Sequence, residues 1–212
     1  MLPETYPDTE LDLFVGLLHA PLVALGPGSR VGLWLTGCQR ACPGCLAPEF
    51  WARDPARREP VAQVAARIIQ AAQAIDTRAV TISGGEPLAS PLALRSLLES
   101  LRQGGLEDIL IYSGLTAPAL LAAYPWVQSL SAALVAGPFD QNRPAREIYR
   151  GSANQELTLF DQALAPLYQT WAKQTQRQAQ TLVAAGRLWL LGIPGLGDYE
   201  RLVATTARLA AP

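Results

Sequence analysis

The strongest constraint in the chain is a repeated three-part pattern: an apolar stretch, a glycine at its C-terminal end, then a segment of helical period. "RVGLWLTG" (Arg30–Gly37), "RAVTISGG" (Arg78–Gly85), "EDILIYSG" (Glu107–Gly114) and "SAALVAG" (Ser131–Gly137) all end in glycine. Between them, Glu59–Asp76 places Val61, Val64, Ala65, Ile68, Ile69 and Ala72 at helical spacing. Ser90 and Pro91 read as the N-cap and first residue of a second helix, which stops at Gly104–Gly105. Thr116 to about Tyr124 reads as a short third helix. Gly186–Gly195 is a later strand, and Asp198–Leu209 a closing helix.

This is the order of βα units, so an α/β fold with a parallel sheet is expected, its active site at the C-terminal ends of the strands. A complete eight-unit barrel takes ~250 residues. The 212 residues here fit an incomplete, open parallel β/α barrel. Pro138 to about Gln180 breaks the rhythm. It starts as a loop and continues into "AKQTQRQAQTLVAAG", which is Gln- and Ala-rich and reads as solvated helix. The expected organisation is one domain over 1–212. Its core lies at about 25–157, a less regular helical insertion at 158–186, and a closing strand and helix at 187–212.

Composition excludes several classes. Half the residues are hydrophobic and the net charge is −1, so a basic footprint for nucleic acid is absent. No apolar run reaches the ~20 residues of a membrane-spanning helix. The N-terminus, "MLPETYPDTELDLF", is acidic and lacks the basic start of a secretory signal. A cytoplasmic location is expected, with neither nucleic acid nor membrane as partner. His19 is the only histidine, which removes the usual parts of Ser-His-Asp catalysis and His-rich zinc sites. It reads as a partly buried structural residue near a strand end.

All three cysteines, Cys38, Cys42 and Cys45, fall in "GCQRACPGC" after the first of these strands. Thiolates select zinc, copper(I) or iron–sulfur clusters. Structural zinc takes four ligands, and no Cys or His follows to complete the set. Three thiolates on a four-iron cubane leave one iron open to a substrate. Pro43 and Gly44 favour the tight turn that lets three sulfurs converge. A zinc knuckle borrowing a ligand from a partner chain, or three incidental thiols, are the alternatives. "TISGGEPL" (Thr81–Leu88) ends the next strand. Alone it reads equally well as a strand-to-helix turn. One βα unit after the cysteines, it becomes a candidate ligand-binding turn.

C-x3-C-x2-C after a strand resembles the cluster motif of the radical S-adenosylmethionine (radical SAM) enzymes. Gly26, Pro27, Gly28, Arg30, the three cysteines and Trp51 resemble glycyl-radical-enzyme activating enzymes, in particular the anaerobic ribonucleoside-triphosphate reductase activating protein family. "LVAGPFD…RGSANQEL" (Leu134–Leu157) is similar to that family through Arg150, Gly151, Ser152, Asn154 and Gln155. It departs where Ala136, Ala132 and Ala47 replace polar residues. The likeness covers roughly Leu25–Gln155, with a weaker "LLGIPG" near the end.

The resemblance implies a [4Fe–4S] cluster on Cys38, Cys42 and Cys45. It implies SAM held near Gly44, Leu46, Ser83, Gly84, Gly85, Glu86, Tyr112 and Ser113. Tyr112 reads equally as a core or rim aromatic. Flavodoxin or ferredoxin would supply an electron. Cleavage of SAM would give a 5′-deoxyadenosyl radical, which abstracts hydrogen from a glycine of a partner glycyl radical enzyme. No catalytic side chain beyond cluster and SAM is implied. Trp34 would help to exclude water, or be only core. Arg143, Arg146 and Arg150 are docking candidates, or scattered charge on a solvated loop. The alternatives are a radical SAM enzyme with a small-molecule or peptide substrate, and a non-enzymatic iron–sulfur or zinc module.

Overall fold

The computed structural model describes residues 11–184, 186–195, 197 and 201. Its framework is a mixed α/β arrangement around a seven-stranded sheet. The strands are β1 (Asp12–Leu22), β2 (Arg30–Leu35), β3 (Arg58–Pro60), β4 (Ala79–Gly84), β5 (Asp108–Ser113), β6 (Ala133–Ala136) and β7 (Glu156–Leu159). Their spatial order is β3-β1-β2-β4-β5-β6-β7. The central four are parallel, with Val31 opposite Val80, Val80 opposite Ile109, and Leu110 opposite Ala133. The flanks are antiparallel: β1 on β2, β3 on β1, and β7 on β6.

The central strands are buried on both faces, as parallel strands require, and their side chains alternate between two cores. Val31, Leu33, Val80, Ile82, Ile109, Ile111 and Leu134 face one core. That core is closed by α1 (Val61–Ala74), α2 (Pro91–Gln103), α3 (Ala117–Ala123) and α4 (Trp126–Leu130). Trp34 faces a second core with Phe50, Leu191 and Ile193. Leu110, Ala133 and Val135 face a third, against Tyr168 and Trp171 of α5 (Ala165–Ala172). Helices α1–α4 cover one face, and α5, the cysteine-loop segment and a later hairpin cover the other. No helix among the described residues is long and apolar enough to cross a membrane.

Three local expectations need correction. The helical insertion over 158–186 is helical only in α5 and the 3-10 turn before it. Residues Ala179–Ala184 form strand β8, paired antiparallel with β9 (Arg187–Gly192). Burial there alternates residue by residue, a period of two, and Gly186 turns the hairpin at φ +70°. Contacts to the body decide the outcome over helix propensity: Gln180 accepts from the Val23 amide and donates to the Pro21 carbonyl. Second, Ser90 and Pro91 do stand at the N-cap and first turn of α2, but the Ser90 side chain makes no capping bond; its Oγ accepts from Arg53 at 2.6 Å. Third, Asp12–Leu22 is an eleven-residue strand that the glycine pattern does not mark. His19 lies in it, partly buried, 3.0 Å from Gln180 Nε2. The closing helix expected at Asp198–Leu209 lies outside the described residues but for Arg201.

Candidate functional site

At the C-terminal end of β2 the chain enters the cysteine loop, and backbone hydrogen bonds fix that entry from two sides. Gly37 and Cys38 donate to the carbonyls of Phe50 and Trp51, both at 2.9 Å. On the other side Gly85 donates to Leu35 at 2.8 Å and Glu86 to Gly37 at 3.0 Å. The Gly84–Glu86 turn therefore touches the cysteine loop directly. Its glycines are needed for that approach. A Cβ on Gly84 would stand 2.3 Å from the Leu35 carbonyl oxygen, and one on Gly85 2.7 Å from the carbonyl oxygens of Gly37 and Phe50.

Glu86 is buried and holds the turn to the next strand. Its Oε1 accepts from the Leu88 amide and Ser113 Oγ, its Oε2 from the Gly114 amide, at 2.9–3.1 Å. Burial pushes its carboxyl above the ordinary carboxylate range, against the pull of these donors and of the Arg40 charge. Tyr112 donates to the Tyr149 carbonyl at 2.9 Å, tying β5 to the 138–155 loop. That loop is largely self-bonded. Arg150 donates to the Ala153 and Gln155 carbonyls and pairs with Glu147. Gln155 accepts from Gly151 and donates to Gly137. Arg150 thus builds the loop rather than extending from it, whereas Arg143 and Arg146 are exposed.

These elements enclose a cleft of about 1050 Å³, part of it open to solvent. Cys38, Cys42, Cys45 and Leu46 line it from the cysteine loop. Ser83, Gly84, Gly85, Glu86, Tyr112 and Ser113 line it from the strand ends. Gly44 does not: at φ +70° it packs against Gln141, where a Cβ would meet Oε1 at 2.3 Å. Ala47 lines the cleft, while Ala136 of β6 and Ala132 just before that strand are buried. Trp34 serves both roles considered for it, packing in the second core and lining the cleft. Sequence reasoning missed Arg40, Phe50 and Trp189 as cleft residues. Trp189 stacks on Phe50 with ring centroids 5.7 Å apart and planes 8° apart, a long-range pairing that no local signal announces.

The chemistry of this wall fits an iron–sulfur cluster with a polar organic ligand beside it. The three thiols are free and half-buried on one loop. Among the described residues no three His, Cys, Asp or Glu side chains are already gathered in a metal-binding arrangement. Bare thiols have nothing to draw them together; a bound metal orders its ligands and releases their protons. Burial, with Glu86 and Cys45 nearby, pushes the Cys38 thiol up, and the Arg40 and Ala41 amides oppose that. The cleft also contains three buried donors without a partner: Arg40 Nε, Trp51 Nε1 and Trp189 Nε1. Buried polar groups are nearly always paired, so three orphans in one cleft mark the place of a hydrogen-bonding ligand.

Residues 24–158 match the family described as a 4Fe-4S single cluster domain. The anaerobic ribonucleoside-triphosphate reductase-activating protein of Salmonella typhi is 31% identical over 138 residues, which cover 61% of this chain and 88% of that protein. Its counterpart in Vibrio cholerae is 31% identical over 150 residues, 65% and 92% of the two chains. The pyruvate formate-lyase-activating enzyme of Staphylococcus aureus is 33% identical over 88 residues, 40% and 35% of the two. The chain belongs to the radical SAM family of glycyl-radical-enzyme activating proteins. The family segment contains all three cysteines, the Gly84–Glu86 turn and the 138–155 loop. The β8–β9 hairpin lies beyond it, yet Trp189, Leu191 and Ile193 from and just after the hairpin line the cleft.

Proposed function

We propose that this protein is a cytoplasmic activase built on an open radical SAM barrel. In this reading Cys38, Cys42 and Cys45 hold a [4Fe–4S] cluster, and the strand ends hold SAM. The protein substrate is a glycyl radical enzyme such as anaerobic ribonucleotide reductase, and flavodoxin or ferredoxin delivers the electron. When bound, the cluster and SAM supply a one-electron reduction that cleaves SAM and yields a hydrogen-abstracting 5′-deoxyadenosyl radical. The chain's own residues bind, orient and exclude water. Glu86 locks the turn that carries Gly84 and Gly85, whose lack of side chains lets that turn close on the backbone of the cysteine loop. Trp34, Phe50 and Trp189 make the other wall apolar, which keeps water from a reactive species.

The observation that carries this reading is the 3.0 Å bond from the Glu86 amide to the Gly37 carbonyl. It sets the glycine turn against the root of the cysteine loop. The test is anaerobic reconstitution with iron and sulfide, then dithionite and SAM, scoring 5′-deoxyadenosine. Formation of a glycyl radical on an added partner enzyme, seen by electron paramagnetic resonance, would support the activase assignment. A cluster whose spectrum ignores SAM, or retention of zinc in place of iron, would sink the whole reading. A second reading, a radical SAM enzyme acting on a small molecule or peptide, is favoured by Ala47 in the cleft and by the wall that the hairpin adds. Cleavage of SAM without any glycyl radical would select it.

A further inference from the structure

Among the described residues of the hairpin, β9 lines the cleft and β8 does not. It does so with consecutive residues, Trp189 to Gly192, followed by Ile193. Successive side chains of a strand point to opposite faces, so a wall of consecutive residues meets a cavity at the strand's edge. Trp189 and Leu191 pack in the second core, which puts Leu188 and Leu190 on the opposite face. The hydrogen-bonding parity follows from the turn. Ala184 and Arg187 face each other across a two-residue loop, as do Leu182 and Trp189, and Gln180 and Leu191, further along. Bonded and non-bonded positions alternate in an antiparallel pair, and a two-residue loop starts on a bonded one. Leu188 and Leu190 therefore turn their N–H and C=O groups away from β8. Among the described residues those groups have no other partner. The open edge stops at Gly192, which closes on Gln178 and Ala24.

Proteins blunt exposed edges with charge, proline or shortness. The seven-stranded sheet does so at both ends: β3 is the three residues Arg58-Glu59-Pro60, and β7 is four residues that open on Glu156. From Leu188 to Gly192, β9 carries neither charge nor proline. Beside it an apolar cross-strand pair faces outward, Leu188 at 47% exposure and Val183 at 75%. An undefended apolar edge that opens into a cleft is suited to being covered.

We propose that the free edge of β9 takes an extended segment of the protein substrate as an added strand, so that the polypeptide backbone itself is recognised. The occupant is a polypeptide because a backbone repeats donor and acceptor at the spacing of a strand edge. Leu188 to Gly192 spans about 13 Å at ~3.3 Å per residue. This edge leads into the cleft that Cys38, Cys42 and Cys45 line. The proposal rests on the reading of that cleft as the place where a protein's glycine reacts.

The test is hydrogen exchange, read at single residues, on the anaerobically reconstituted protein. The probes are acetyl-Lys-Val-Thr-Gly-Thr-Val-Lys-amide and the same peptide N-methylated at its third and fourth residues, which spoils both of its own edges. At about 1 mM the first should slow exchange of the Leu188 and Leu190 amides roughly threefold, the factor 1 + [L]/Kd for a Kd of about 0.5 mM. The Trp189 and Leu191 amides already face β8 and should change less. The methylated peptide should leave all of these amides at native rates. Leu190→Pro removes one edge donor and should abolish the slowing at Leu188.

Equal slowing by both peptides overturns the proposal, because the backbone is then not what is read. Equal slowing at all of these amides also overturns it, because the hairpin has then only tightened. No slowing by either peptide overturns it too. So does exchange at Leu188 and Leu190 that slows with the protein's own concentration, since a second copy would then cover the edge. Should Leu190→Pro unfold the hairpin, the two peptides on native protein decide. SAM cleavage scored on the same sample separates the two readings. Protein that cleaves SAM but shows no slowing refutes the edge alone. Protein that pairs the peptide but leaves SAM intact refutes the activase reading, and the peptide-binding edge stands.

Discussion

Arg30 and Asp108 meet as a two-pronged ion pair at the end of the sheet away from the cleft, Nη1 2.6 Å from Oδ2 and Nη2 3.1 Å from Oδ1. Arg30 is fully buried at the start of β2, and Asp108 opens β5. Thr81 of β4 accepts from Arg30 Nε, and Tyr168 of α5 donates to Asp108 at 2.6 Å. One network thus joins three strands and a helix. Asp108→Ala would strand the buried Arg30 charge and should cost about 3–5 kcal/mol. Tyr168→Phe removes one hydrogen bond to a charged group and should cost roughly 1.5–3 kcal/mol. Urea unfolding of the cluster-free protein checks both. A cost for Asp108→Ala no larger than for Tyr168→Phe would contradict the account.

The buried Glu86 carboxyl leads to a pH dependence. Its folded value is raised above the unfolded one, chiefly by burial, so the native state binds this proton more tightly. The stability it contributes is fully present below the unfolded carboxylate value and lost as pH rises through the raised folded value. Native protein should therefore lose urea resistance as pH rises out of the ordinary carboxylate range and through the raised folded value. In Glu86→Gln that part of the slope should vanish, while absolute stability falls because an amide nitrogen meets a backbone donor at Gly114 or Leu88. An unchanged slope would place the titration elsewhere.

Much of the sheet was legible because its four parallel strands are buried on both faces, and such strands must read as continuous apolar runs. The glycines closing them were legible for a steric reason now visible at Gly84 and Gly85. The cysteine loop announced its own chemistry through three thiols on one short segment. What stayed hidden depends on distant partners. The β1 strand mixes partly and fully buried positions without a steady period, with exposed Pro21 near its end. The helix-compatible stretch around Gln180 became a strand because Pro21 and Val23 offered it hydrogen bonds. Arg40 and Trp189 entered the cleft through contacts with Gly114 and Phe50, residues far away in sequence.

Cluster removal should leave the framework standing. The strand core closes through Val31, Ile82, Ile109 and Leu134 without any metal ligand. Chelation of a reconstituted protein should therefore preserve far-ultraviolet circular dichroism while raising hydrogen exchange in residues 39–46. Collapse of the helical and strand signal on chelation would show that the cluster holds the whole domain, as in zinc fingers.

Gly85 and Gly28 separate a structural demand from a conformational one. Gly85→Ala drives a Cβ to 2.7 Å from two backbone carbonyl oxygens, which have little room to yield. Gly28 stands at φ +71° with open space around it, so Gly28→Ala meets only backbone strain. Each should cost roughly 1–3 kcal/mol, so stability alone does not distinguish them. Iron content does: Gly85→Ala displaces Gly37 and Phe50 at the root of the cysteine loop and should retain less iron than native protein. Gly28→Ala should retain the native amount. Equal retention by both would refute the coupling of the glycine turn to the metal loop.

The hairpin's attachment can be tested through Trp189. A two-stranded sheet is marginal alone in water, so β8–β9 depends on what fastens it to the body. Gln180 supplies hydrogen bonds, Gly192 allows approach to Ala24, and Trp189 stacks on Phe50. An aromatic pair contributes about 0.5–1.5 kcal/mol beyond its buried area, equivalent to about 2- to 12-fold in a local opening equilibrium. Trp189→Ala should therefore speed amide exchange across Ala179–Gly192 by at least that factor and leave β2, β4 and β5 unchanged. Trp189→Phe keeps a ring on Phe50 and should lie close to native. Exchange in Trp189→Ala that matches native protein would mean the hairpin is held by its polar contacts alone. The aromatic pair would then belong to the cleft wall and not to the anchor.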